Sequence, residues 1–121
     1  MKKPLFLLVC LLFLTGCLKE SQTQFSIGED QVFLVITPNT TKEELAQIAI
    51  ELKEKRNIDI DYSKSTFSAD GKISEVNLVV DCNDGFKGST HCSATALTFK
   101  NIGFSRDYST ESMNVFHIGA M

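Results

Sequence analysis

The apolar residues of this chain are arranged in distinct patterns, each implying a different element. Pro4 to Leu14 (PLFLLVCLLFL) is continuously apolar and follows Lys2 and Lys3. Its length suits the hydrophobic region of a secretion signal and falls well short of the ~20 residues that a spanning helix needs. Val32 to Ile36 (VFLVI) is also unbroken, but it is short and closes on Thr37-Pro38-Asn39. A short run of β-branched and aromatic residues bounded by a turn predicts a central strand covered on both faces. Next the period changes. Leu45, Ile48, Ala49 and Leu52 recur at i, i+3, i+4 and i+7, while Glu43, Gln47, Glu51 and Lys55 take the other side, which predicts a helix. Thr41 with Glu44 three residues on forms a capping box, and Pro38 keeps the residues before it extended. Lys53, Lys55 and Arg56 suit the negative end of the helix dipole, and Asn57 suits the position just past the end.

Beyond the helix the period becomes two. Ile58, Ile60 and Tyr62 alternate with Asp59 and Asp61, as in a half-buried strand. The Asp-Gly of SADGKI (68–73) predicts a reversal into a further strand whose Val76, Leu78, Val80 and Cys82 share one face. The segment from Cys92 to about Lys100 (CSATALTFK) reads as the next strand, joined to the last by a loop from Asn83 to His91. Its Cys92, Ala94 and Ala96 lie on one side and its Leu97 and Phe99 on the other, which implies a bulge or cover on both faces. After a polar SRDYSTES loop, VFHIG (115–119) suits a short edge strand. The element order is β-α-β-β-β. It predicts an α+β domain: a single antiparallel-rich sheet of four to five strands with one helix packed on one face. The 121 residues make one domain, and 43% hydrophobic with 22% charged residues argues against disorder and against a multi-span membrane protein.

The apolar N-terminal run ends in Leu14-Thr15-Gly16-Cys17, which resembles a bacterial lipobox: a leucine, two small residues, and a thiol placed to take a diacylglyceryl group before cleavage. The chain then divides into a signal peptide (1–16), a lipidated Cys17 with its tether (17–26), and the α+β domain (27–121). The polar stretch Leu18 to Gln24 has a flexible reach of roughly 15 Å, so the domain sits close to the bilayer. The whole chain has 12 basic and 15 acidic residues; cleavage removes Lys2 and Lys3, leaving ten basic residues and a net charge of −5. That balance provides no footprint for nucleic acid or for an anionic bilayer, so anchoring falls to the acyl chains of Cys17. Leu18 after the lipid cysteine favours the outer membrane, on its periplasmic face or at the cell surface; Lys19-Glu20-Ser21 faintly resembles a Lys-acidic export signal.

The densest chemistry is DCNDGFKGSTHC (81–92). A calcium loop counted from Asp81 would place Gly85, Phe86 and Cys92 where an oxygen ligand, a glycine and a glutamate belong. A zinc site of Cys82, His91, Cys92 and His117 has the right ligand types, but adjacent His91 and Cys92 would point to opposite faces of a strand. A redox site would have C-x-x-C spacing. In an oxidising compartment, with Cys10 discarded and Cys17 acylated, a structural Cys82–Cys92 disulfide is expected across neighbouring strands, worth roughly 2–3 kcal/mol. Phe86 and Lys87 in the glycine-containing loop then become the candidate partner contact, with Phe86 either an exposed anchor or folded back on the sheet. His91 and His117 have no evident nucleophile or carboxylate partner, and Asp59 and Asp61 read as a solvated strand face rather than a catalytic pair. Motifs of the G-x-S-x-G, H-E-x-x-H and phosphate-loop kinds do not occur. No catalytic residue, metal or cofactor is expected.

The stretch VFLVITPNTTKEELAQIAIELKEKRNIDIDYSKSTFSADGKISEVNLVV resembles a β-α-β-β module of small Bacteroidota lipoproteins and of the periplasmic tails of BlaR1-like membrane metallopeptidases. The likeness rests on Ile36 to Leu45 at the helix start, Ile58 to Tyr62 in a strand, and Ala69 to Ile73 in a turn. It implies the fold and no catalytic residue, since the metallopeptidase motif belongs to another domain of those proteins. Together these features lead us to expect a membrane-anchored, non-enzymatic interaction module with an envelope protein partner. The alternatives are an inhibitor of an envelope or extracellular hydrolase, and a small-ligand or metal-binding lipoprotein.

Overall fold

The computed structural model describes residues 22–98, 100–111 and 113–121, and organises them as two four-stranded antiparallel sheets and two helices. In chain order the elements are β1 (Gln24–Ile27), β2 (Gln31–Ile36), α1 (Lys42–Arg56), β3 (Asp59–Asp61) and β4 (Thr66–Phe67). They continue with β5 (Ile73–Asp81), β6 (Lys87–Cys92), α2 (Ala94–Leu97), β7 (Ile102–Asp107) and β8 (Phe116–Ala120). The first sheet runs β1-β2-β7-β8. The second is built on β5, with β6 along one side and β3 and β4 sharing the other. β3 and β4 form one edge strand interrupted over residues 62–65: Ser65 N donates to Tyr62 O at 2.9 Å, and Ser65 Oγ bridges the Asn77 backbone.

The single sheet expected from the sequence is therefore corrected to two, and the described residues are mostly β (44% strand against 19% helix). Three features escaped the periodicity. β1 begins within the segment assigned to the tether, β7 lies in Ile102–Asp107 where no strand was expected, and the loop expected from Asn83 to His91 and the strand expected from Cys92 to Lys100 are instead a tip leading into β6 (Lys87–Cys92) and then α2. Ser93 caps that helix through Ala96 N at 3.2 Å, a local bond that turns the chain out of the sheet.

The helix follows its sequence closely. Thr41 and Glu44 exchange both bonds of the capping box, Asn57 ends α1 in the left-handed conformation, and Leu45, Ile48 and Leu52 enter the core. Burial of a leucine such as Leu45 or Leu52 contributes about 2 kcal/mol. The core joins Val32, Leu34 and Ile36 of β2 and Phe104 of β7 to Val76, Leu78 and Val80 of β5. The sheets meet closely where β6 passes β8. There Gly88 carries no side chain, and a Cβ would lie 2.8 Å from Ile118 Cγ2. α1 bridges the β1 and β3 sides: its first turn bonds Thr23, its last residue bonds the β1–β2 turn, and it packs on β3. Thr37 and Thr40 are fully buried polar residues at the β2–α1 junction. Thr37 N donates to Thr40 Oγ1 at 3.0 Å, and Thr40 O accepts from Ile73 N at 2.7 Å, so the turn ties the two sheets together.

Candidate functional site

The most highly organised surface is the pole of the molecule at the C-terminal end of α1, where the tip between β5 and β6 meets the end of β7. The tip is closed by Cys82 N donating to Phe86 O at 2.9 Å, with Asn83 in the left-handed region. The Asp81 carboxylate accepts from Asn83 N at 2.9 Å, and Asn83 Nδ2 donates to Asn57 O at 2.7 Å and to Asp59 Oδ2 at 2.9 Å. The Asn83 amide, helped by Lys53, holds the Asp59 carboxyl below the usual carboxylate range. This relieves the direct cross-strand opposition of Asp59 and Asp81.

Arg106 organises the other side of the tip. It occupies the core-facing side of β7, in line with Ile102 and Phe104, and is only 8% exposed. Its Nε and Nη2 donate to Asp84 Oδ2 at 3.0 and 2.7 Å, and its Nη1 donates to Asp107 O at 2.6 Å and Val115 O at 3.3 Å. The guanidinium lies 4.5 Å from the ring centroids of both Phe86 and Tyr108. Phe86 also meets Phe116 at 6.0 Å, and Arg56 stands 5.7 Å from the Tyr108 ring while donating to Gly28 O and Glu29 O. An aromatic–arginine stack thus runs from β8 through the tip to the end of α1.

Phe86 is 37% exposed, and therefore combines the two alternatives read from the sequence: it rests on Arg106 and Phe116 and still presents part of its ring. Lys87 begins β6 opposite Asp81 and is exposed. Arg106, Asp84 and Tyr108 were not singled out from the sequence. The alternation Ile102, Phe104, Arg106, Tyr108 carried the signal, with an arginine standing where a core residue belongs.

The Cys82–Cys92 disulfide is corrected. Both thiols are free and buried. Cys92 pairs with Val76, six residues along β5 from Cys82, a separation of about 20 Å at ~3.3 Å per residue. A disulfide tolerates about 7 Å between Cα atoms. Burial, with Asp84 adding to it, pushes the Cys82 thiol up to about 11. Burial likewise raises the Tyr108 hydroxyl. His91 lies on the solvent face of the second sheet, 3.4 Å from Glu75, and His117 contacts Ala120 O at 2.7 Å. Among the described residues no group of three or more His, Cys, Asp or Glu is placed to hold a metal ion. The chemistry offered here is that of a pinned, partly apolar knob. Cys17 lies outside the described residues.

Residues 1–17 match the family model for the prokaryotic membrane lipoprotein lipid attachment site. No curated protein and no solved structure matches the chain, and neither comparison supports the resemblance to Bacteroidota lipoproteins and metallopeptidase tails. The attachment site marks the chain as a membrane-anchored lipoprotein of the cell envelope, held through acylated Cys17.

Proposed function

We propose that the domain is a non-enzymatic interaction module that presents the β5–β6 tip, with Phe86 and Lys87, to another envelope protein. The observation that carries this reading is Phe86 itself: an exposed aromatic ring whose back is held by Arg106 and whose loop is tied at Asp84 and Asn83. A large side chain fixed before binding gives up little conformational freedom on contact, which is what an anchor residue requires. The tip lies at the opposite end of α1 from Thr23, which stands six residues after Cys17 in sequence, so the anchor leaves it free to reach a partner. Leu18 after the lipid cysteine supports placing the anchor in the outer membrane.

The test is in-cell crosslinking from the tip of the full-length lipoprotein, comparing Phe86→Ala with Lys87→Glu. A specific crosslinked species that weakens at least fivefold in Phe86→Ala is expected. Undiminished crosslinking in both variants overturns the assignment of the tip.

A further inference from the structure

The interruption of the β3–β4 edge strand forms a second feature, at the other end of α1. The 15 residues of that helix rise about 22 Å, so this feature is well separated from the Phe86 tip. Residues 62–65 leave the sheet edge and open a trough of about 420 Å³ against the first turn of α1, within the ~300–1,000 Å³ typical of small-ligand sites. Its apolar wall is made by Ile60, Tyr62 and Phe67, all half-buried, so each presents part of its surface to the trough. Its polar groups are few. Lys42 holds its ammonium 5.9 Å from the Phe67 centroid. Asp61 accepts both Ser63 bonds on Oδ1, from N at 2.9 Å and from Oγ at 2.6 Å, which leaves Oδ2 as a ready acceptor. Those bonds also keep the carboxyl below its usual range, so it is ionised at neutral pH.

We propose that this trough binds a saccharide unit of an envelope glycan. One ammonium and one carboxylate balance, so the site selects against strongly ionic ligands, while the two aromatic rings require a ligand with an apolar face. A pyranose ring meets both demands, with a face of C–H bonds for Tyr62 and Phe67. Its ring of hydroxyls can accept from Lys42 and donate to Asp61. The trough opens along the sheet edge rather than into the core, which suits one unit of a polymer better than an enclosed metabolite. The lipid anchor holds the site within the envelope, where such polymers lie.

The experiment uses the full-length lipoprotein in detergent micelles, titrated separately with chitotetraose, soluble uncrosslinked peptidoglycan strands and phosphoethanolamine, and followed by amide and tyrosine NMR shifts. Saturable binding of at least one glycan is expected, with shifts centred on residues 60–67 and Lys42. Its Kd should rise roughly tenfold in Asp61→Asn and in Lys42→Gln, the effect of one weakened or lost charged hydrogen bond in each case. Lys87→Glu should bind like the unaltered protein, which keeps this site distinct from the tip. Three outcomes overturn the proposal: no saturable binding of either glycan, binding indifferent to Asp61 and Lys42, or saturation by phosphoethanolamine in place of glycan, which makes the trough a lipid-headgroup site. Asp61 and Lys42 are both exposed, so both variants keep the fold; coincident thermal unfolding checks this.

Discussion

Arg106 holds together Asp84 at the tip, the Val115 carbonyl before β8, and the Tyr108 ring that Arg56 also approaches. Removing it leaves Asp84 Oδ2 and the Asp107 carbonyl without the donors it supplies, while the Val115 carbonyl keeps its bond from Asp107 N at 2.8 Å. Asp84 retains about a third of its side-chain exposure, so water recovers part of the loss. Arg106→Ala should cost about 2–3 kcal/mol in denaturant unfolding, toward the low end for a broken buried pair. Arg106→Lys should recover only a fraction, because an ammonium cannot offer the planar fork or stack between two rings. The cysteines give a prediction of opposite outcome to the one their spacing suggested. In the native lipoprotein Cys82 and Cys92 should resist alkylation at pH 8 equally with and without reductant, and both should react once the chain is unfolded; labelling that depends on reductant would contradict the register. Because the folded Cys82 thiol holds its proton to about 11 while the unfolded one releases it near ~8.5, its contribution is present below the lower value and fades as pH rises toward the upper. Cysteine type and spacing were legible in the sequence, but the register that separates them is a property of the β5–β6 pairing.

Helix α1 was readable residue by residue because its signals are local: a capping box spans four positions, an apolar stripe repeats within one turn, and Asn57 needs only its own backbone. The strands of the second sheet were partly readable for the same reason, since alternation from Val76 to Cys82 reports one buried face. β7 was hidden. Its sequence IGFSRD contains a glycine and two charged residues, which read as loop until its partners are known. Gly103 is required there because a Cβ would stand 1.8 Å from the Leu34 carbonyl oxygen of β2. Gly103→Ala must therefore shift β7 against β2, and we expect a loss of at least about 2 kcal/mol with a lowered midpoint of thermal unfolding. Wild-type stability in that variant would show that the strand relaxes without cost. Helix α2 was likewise hidden: Ser93 caps a short turn that strand alternation cannot announce.

At the scale of the molecule, the anchor and the fold are joined through few residues. Thr23 Oγ1 bonds Thr40 Oγ1 at 2.7 Å and Glu44 Oε1 at 3.1 Å, which ties the chain to the fold at a position six residues after Cys17 in sequence. Cys17→Ser should abolish the lipid increment in intact mass and move the protein from the membrane pellet to the soluble or precursor fraction; unchanged mass and sedimentation would remove the lipoprotein assignment. The attachment site, the capped helix, the Asp-Gly turn and the buried face of β5 are determined by the sequence itself, because each depends on residues a few positions apart. The division into two sheets, the placement of Arg106 between Phe86 and Tyr108, the free thiols and the trough beside Lys42 were decided only by the tertiary structure. Each depends on strand register and on the approach of segments tens of residues apart, which no local period encodes.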